Sequence, residues 1–193
     1  MSSTIEPAAA ARADRTSAAA SSEASEVPVF LDARAVGDDG PIRLSLSRSS
    51  IGGDPSTPGP GPLDGAWWPR SRDLARELPA LTDALGPVWG RITHITVNPT
   101  HWPVVPKKVA VPGRTVRVGW FAAEQDPHKL LLLSSRLGRW DLLIVPPQTP
   151  PATAARLMAA AADPGNRRTA SALMTWADTD ADPLDAATAE AAA

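Results

Sequence analysis

Apolar and polar residues alternate along several short stretches of the chain, and this period of two predicts β-strands. The alternation is clearest in 41–47, PIRLSLS, and in 91–98, RITHITVN. GAWW at 65–68 reads as a short strand that Pro69 ends. Residues 107–121 read as two strands of a hairpin around Pro112-Gly113.

Two longer apolar runs follow, LLLLSS after Lys129 and WDLLIV after Arg139. They predict a second hairpin that turns near Arg136 to Gly138. Because these runs are almost continuously apolar, we expect both strands to be central and covered on both faces.

A helical period of three to four residues appears in 71–86, where four leucines share one stripe. Ser71 is a candidate N-cap, and Gly86-Pro87 should end the helix. Pro79 should kink or split it, because proline lacks the backbone N–H. Two further helices are predicted, one from Pro151 to before Pro164 and a short one over 169–176.

These elements predict an α+β fold with one domain over 41–177. Short turns favour a mostly antiparallel sheet of about six or seven strands. One helix is inserted after the second strand, two helices lie at the C-terminal end, and we expect helices to cover one face. Residues 48–62, rich in Pro and Gly, should form a loop.

Charge separates this domain from its ends. The net charge is −2. Residues 1–40 hold three arginines and seven acids, 41–177 hold 16 Lys+Arg and nine acids, and 178–193 hold five acids and no base. We expect both Ala-rich acidic ends to be disordered tails, because they have little apolar surface to bury. A solvated basic surface is one interpretation, and a body that meets an anion for which the tails compete is the other.

Composition excludes several classes of protein. With no cysteine, the chain has no disulfide, thiolate nucleophile or cysteine metal site. It contains neither a long apolar run for a membrane span nor a signal peptide, so we expect a cytoplasmic protein that contacts no membrane. No phosphate-binding glycine loop or serine nucleophile motif is present, and we expect no cofactor and no metal.

Four motifs combine rare residues in order: LDGAWWPRSRDL, VNPTHWP, GWFAAEQDPHKLLLL and WDLLIVPP. With these motifs, residues 41–177 resemble a family of uncharacterised actinobacterial proteins, a domain of unknown function. The resemblance implies a short single-domain bacterial protein. It implies no activity, substrate or catalytic residue.

The tryptophan pair, Trp67 and Trp68, must point to opposite faces of a strand. One should enter the core and the other should reach the opposite face or a cleft, where it either packs or forms a stacking platform. The turns holding His101 and His128 should lie at the same end of the sheet, because the strand before one turn and the strand after the other run in opposite directions. The candidate binding residues are Trp67, Trp68, Arg70, Arg72, Asn98, His101, Trp102, His128 and Lys129.

Three functions remain open, and no catalytic residue is assigned. The leading hypothesis is a small non-catalytic module that binds an anionic ligand or a protein partner through a basic aromatic face. An enzyme with a His101/His128 acid–base site is the second. A nucleic-acid binder that uses the basic body is the third. Arg70 and Arg72 could instead pair with Asp73, Glu77 or Asp141 on the surface.

Overall fold

The computed structural model describes residues 29–30, 41–48, 61–135 and 138–179. The predictions for the acidic ends, for most of the 48–62 loop and for the centre of the second hairpin concern residues outside these ranges. Val29 and Phe30, within the predicted N-terminal tail, form a two-residue strand.

The described elements match an α+β fold, as predicted. The strands are β1 (Val29–Phe30), β2 (Leu44–Leu46), β3 (Gly65–Trp67), β4 (Ile92–Val97), β5 (Lys108–Val111), β6 (Arg114–Trp120), β7 (Lys129–Ser134) and β8 (Gly138–Ile144). The helices are α1 (Leu74–Trp89), α2 (Pro151–Ala162) and α3 (Ala170–Thr179), with a 3-10 turn at Pro99–His101. The inserted helix follows β3 rather than a second strand, because β1 precedes the two strands that the pattern predicted.

The described strands form one mixed sheet in the order β1-β2-β3-β8-β7-β4-β6-β5. Five neighbouring pairs are antiparallel, but β3–β8 and β4–β6 are parallel. The prediction of a mostly antiparallel sheet, based on short turns, therefore holds only in part. The β5–β6 hairpin places its second strand, not its first, beside β4, and this makes that pair parallel.

The prediction that helices cover one face of the sheet is wrong. The leucine stripe of α1 packs on one face, together with the even-numbered residues of β7 and β8. Helices α2 and α3 pack on the other face, against Ala66, Leu143 and Val145. A strand buried on both faces needs apolar cover on both, and β8 receives it from helices on opposite sides.

Helix α1 differs from its prediction at both ends and at Pro79. Asp73, not Ser71, is the N-cap, and its carboxylate accepts from the backbone N–H of Ala75 at 3.0 Å and of Arg76 at 3.2 Å. The helix continues through Pro79 and Pro87 to Trp89, and Gly90 caps it. Burial of its apolar stripe, including the fully buried Trp89, outweighs the hydrogen bonds that the two prolines cannot make.

Strands β7 and β8 are central, as predicted. Leu132 and Ile144 are buried against α1. Covering on both faces is confirmed for residues 142–144 of β8. It is not confirmed for the first half of β8, where Arg139 is exposed, or for the whole of β7, since Leu133 is 38% exposed. The opposite face of β7 therefore continues into a part of the sheet that α2 and α3 do not cover.

Candidate functional site

The tryptophan pair belongs to the packing of the fold. Trp67 is 1% exposed in the α1-side core, where its ring stacks on Trp102 with centroids 5.9 Å apart. Trp102 is itself buried. These two rings therefore present no surface to a ligand, although both were candidate binding residues.

Trp68 points to the opposite face, as strand alternation predicts, and is half-buried. The guanidinium of Arg43 lies 3.6 Å from its ring centroid and donates to the carbonyl oxygens of Trp68 and Pro69 at 3.0 and 2.6 Å. Burial and the neighbouring Arg70 hold the pKa of Arg43 below its ordinary value. Because Arg43 already covers the ring, Trp68 is not an open stacking platform.

The cavity beside this pair is also small. It measures about 50 Å³ and lies between the tryptophans, Arg43 and the first turns of α1. A space of this size admits a few water molecules rather than a nucleobase. Arg70 donates to Pro41 O at 2.8 Å, and Ser71 Oγ donates to Glu77 at 2.7 Å, so this region braces the start of α1. Arg72 is exposed beside it.

The side chain of Asn98 is engaged in hydrogen bonds within the fold. It is 2% exposed, and its amide donates to the carbonyl oxygens of Ala122 and Gln125 at 3.0 and 2.8 Å. Gln125, which the sequence did not single out, donates in turn to Thr96 O and Lys129 O at 2.9 and 2.7 Å. The two buried amides therefore tie the turn after β4 to the turn before β7.

The predicted meeting of the two histidine turns is confirmed. The rings of His101 and His128, called here the histidine pair, have centroids 4.4 Å apart and are tilted by 40°. They meet because β4 and β7 are antiparallel neighbours, so that the end of one strand lies beside the start of the other. His101 Nε2 and His128 Nδ1 are buried and have no hydrogen-bond partner among the described residues.

The surroundings favour neutral imidazoles. Burial, His128 and Arg72 lower the pKa of His101 below its ordinary value. Burial also lowers the pKa of His128, although Asp126 and Asp178 act in the opposite direction.

Asp126 does not serve the pair as a free base. Burial raises its pKa, but hydrogen bonds from Ser171 and from the His128 backbone outweigh that effect and hold the pKa below its ordinary value. Ser171 Oγ donates to Asp126 Oδ1 at 2.7 Å, which fastens α3 to the turn before β7. Within the described ranges, no three His, Cys, Asp or Glu residues stand close enough to hold a metal ion.

The uncovered part of the sheet carries a surface that the sequence analysis did not identify. Helices α2 and α3 pack on β2, β3 and the second half of β8, and they leave the same face of β7, β4, β6, β5 and the first half of β8 accessible. We call this surface the open face; its residues are Arg139, Asp141, Leu133, Leu131, His94, Thr96, Arg117, Thr115, Lys108 and Ala110.

One row of side chains crosses the open face from strand to strand. The strand registers place Arg139, Leu133, His94, Arg117 and Lys108 side by side, and all five are exposed. With strands about 4.8 Å apart, the row is roughly 19 Å long. Arg139 and Lys129 share Asp141, at 2.8 and 3.4 Å. Arg117 and Lys108 form no ion pair with any carboxylate in the described part of the chain.

A signal for this surface was present in the sequence. Residues 84–123 contain five Lys+Arg and no Asp or Glu. This stretch includes β4, β5 and β6, which supply most of the open face. The net charge of a whole region hides such a stretch, and a count along individual strands reveals it.

A second hollow, of about 440 Å³, lies between α2 and the loop that leads to α3. Its polar groups are engaged within that loop. Asp163 accepts from Gly165 N at 2.7 Å, and Arg167 Nη1 donates to the carbonyl oxygens of Pro164 and Asn166 at 3.1 Å. The hollow therefore lies beside a turn whose polar groups form hydrogen bonds with one another.

Comparison with known proteins gives a family and no function. No curated protein and no solved structure matches the chain. A family model described as a family of unknown function, DUF5994, matches residues 43–161, more than half of the 193 residues. The match begins just before β2 and ends within α2, so it includes the whole open face. The chain therefore belongs to the family of unknown function DUF5994.

Proposed function

We propose that the protein is a non-catalytic binding module whose open face holds an acidic, extended polypeptide segment. The observation that carries this proposal is the row of exposed side chains across five neighbouring strands, in which Arg139, Arg117 and Lys108 are cations. Arg117 and Lys108 supply charge there that no carboxylate in the described ranges offsets. A partner carboxylate would supply the missing counter-charge.

Apolar groups between the cations favour a polypeptide partner. Leu133 stands between Arg139 and His94 in the row, and the partly buried Leu131 lies one step along the same strand. A segment that alternates acidic and apolar residues would meet both kinds of contact. Interfaces of this kind combine charge complementarity with buried apolar contact.

The absence of tryptophan and phenylalanine from the residues of the open face argues against nucleic acid. Single-stranded nucleic acids are held by bases stacked on aromatic rings as well as by cations. Trp120 and Phe121 are 46% and 56% exposed, but Trp120 is the last residue of β6 and Phe121 follows the strand, so neither lies in the row. The sequence predicted a basic aromatic face around the tryptophan pair. The binding surface that we propose is a different one, and it is basic and aliphatic.

The proposed site also differs from a histidine enzyme centre. The partnerless nitrogen of each imidazole is buried, and Asp126 is occupied by Ser171. A general base must reach the proton that it removes. We assign the histidine pair a part in holding the two turns and α3 together.

Binding of a labelled peptide tests the proposal. A short peptide with alternating acidic residues and one leucine should bind the full-length protein, and added salt should weaken it. Each exposed charge contact contributes about 0.5–1 kcal/mol. Replacing Arg117→Ser and Lys108→Ser together should therefore weaken binding about fivefold to thirtyfold in fluorescence anisotropy.

Arg72→Ser is a single-charge control, since it removes one exposed cation at the start of α1, away from the open face, and it should leave the affinity unchanged. Tighter binding of a single-stranded DNA of equal charge, lost in the same double variant, would show that the open face is a nucleic-acid surface. Binding that is equal in the double variant and in the control would show that the open face is not used.

A further inference from the structure

The chain contains an acidic segment of its own directly after α3. Residues 180–193 hold Asp180, Asp182, Asp185 and Glu190, with no Lys or Arg and a single leucine, Leu184. This composition matches the partner chemistry that the open face requires: carboxylates for Arg117 and Lys108, and an aliphatic side chain for Leu131 and Leu133.

The chain also leaves α3 at the border of the open face. Leu173 and Ala177 of α3 pack on the same side of the sheet as Leu143. The strand register places Leu143 opposite Lys129, the first residue of β7. Asp178, in the last turn of α3, lies close enough to His128 to act on it electrostatically. The chain thus leaves α3 at Thr179 beside the first residues of β7, near Lys129.

Fourteen residues are long enough to cross the surface. Extended chain spans about 3.3 Å per residue, so residues 180–193 reach roughly 46 Å. The row from Arg139 to Lys108 is about 19 Å long. The tether also gives the segment a high effective concentration at the face, which compensates for weak individual charge contacts.

We propose that the acidic segment 180–193 docks on the open face of its own chain, against Arg117 and Lys108, and competes there with the acidic segment of a partner. The competition rests on the proposed function, whereas the docking itself does not, because it occurs without a partner. An experiment can therefore reject the proposed function without rejecting the docking, and the reverse.

Docking is tested in the full-length protein without any partner. The chain has no cysteine, so Ala189→Cys creates a unique attachment point for a spin label. At low salt the label should broaden the NMR signals of backbone amides in 94–96, 115–117 and 131–133. Replacing Asp180, Asp182 and Asp185 by Asn and Glu190 by Gln should abolish that broadening.

Three outcomes would overturn the docking. One is an absence of broadening at low salt, and another is broadening centred on α1. The third comes from a mixture of two proteins, one spin-labelled without isotopic enrichment and the other isotopically enriched without a spin label. Equal broadening in this mixture would place the segment on a second copy. A label at Ala10→Cys controls for nonspecific contact and should leave the open face unaffected.

Competition is measured with the acidic peptide probe. The variant with four neutral amides in 180–193 should bind the probe at least about fivefold more tightly than the natural chain. Neutralising Glu6, Asp14, Glu23 and Glu26 in the same way is the matched control and should not change the affinity. Equal gains in both variants would indicate a general charge effect and contradict the competition. Docking without probe binding would leave the intramolecular contact standing and reject the proposed function.

Discussion

At the scale of single residues, position on a strand decides what a side chain does. Trp67 and Trp68 are adjacent residues of the same type. Trp67 is buried on the α1 side of the sheet, whereas Trp68 is half-buried beneath Arg43 on the opposite face. The same alternation separates Leu132, which is fully buried, from Leu133, which is 38% exposed. A residue type on this sheet therefore acquires its role from its face.

The histidine pair leads to a residue-scale prediction. Replacing His128→Asn should raise the pKa of His101 toward its ordinary value, because His128 lowers it now. NMR titration of the imidazole signals measures the change. His94→Asn is the control and should not alter the pKa of His101, since His94 lies on the open face in mid-strand. An unchanged His101 in the His128→Asn variant would show that the imidazoles do not interact.

Some residue roles could be predicted from sequence and others could not. The meeting of His101 and His128 followed from strand directions alone. The buried amide network of Asn98 and Gln125 did not, because a polar residue in a turn gives no sign of whether its amide faces water or neighbouring carbonyls. The pattern also predicted that one tryptophan of the pair enters the core, but it could not choose between them.

At the scale of elements, helix α1 shows how burial overrides local signals. Pro79, Gly86 and Pro87 all favour a break, yet the helix runs from Leu74 to Trp89. Its apolar stripe and Trp89 are buried, and Trp89 stacks on Trp140 of β8 with centroids 4.5 Å apart. Tertiary packing of this kind is not visible in a local pattern, which explains why the predicted end of the helix was too early.

Strand β7 provides an element-scale prediction. Leu132→Ala should lower the free energy of unfolding by about 2–4 kcal/mol, because it opens a cavity among fully buried side chains. Leu133→Ala, its neighbour on the open face, should lower it by less than about 1 kcal/mol. Urea denaturation of both variants measures the difference. Similar losses at the two positions would contradict the assignment of one covered and one uncovered face to β7.

At the scale of the whole molecule, sheet order was the least predictable feature. The hairpins β5–β6 and β7–β8 are local and were predicted from turns and alternation. The parallel pairs β3–β8 and β4–β6 join strands that are distant or non-consecutive in the chain. Nothing in the residues of β3 specifies β8 as its neighbour. The open face, which depends on this order and on where α2 and α3 pack, could therefore not be located in advance.

Stability of the whole molecule should depend on pH in a defined window. Both members of the histidine pair have a pKa below 6.5 in the folded protein, so the unfolded chain takes up protons first as the pH falls. The free energy of unfolding should therefore decrease below about pH 6.5 and be insensitive to these groups above it. Urea denaturation at pH 7.5 and 5.5 measures this change.

The variant with both His101→Asn and His128→Asn should show a smaller decrease between the two pH values, whereas His94→Asn should behave like the natural protein. An unchanged decrease in the double variant would mean that other groups cause it.

The parallel contact of β3 with β8 has a consequence for synthesis of the chain. Asp64 and Asp141 lie 77 positions apart and form two hydrogen bonds of 2.7 Å with each other. The Asp64 N–H donates to the Asp141 carbonyl oxygen, and the Asp141 N–H donates to the Asp64 carboxylate. Strand β3 emerges early from the ribosome, but its parallel neighbour β8 is made only when about three quarters of the chain exists. Contacts of such long range slow folding, and unpaired strand edges invite association in the meantime. We therefore expect nascent chains that end before Leu142 to be recognised by chaperones, and chains that include α2 to fold and be released.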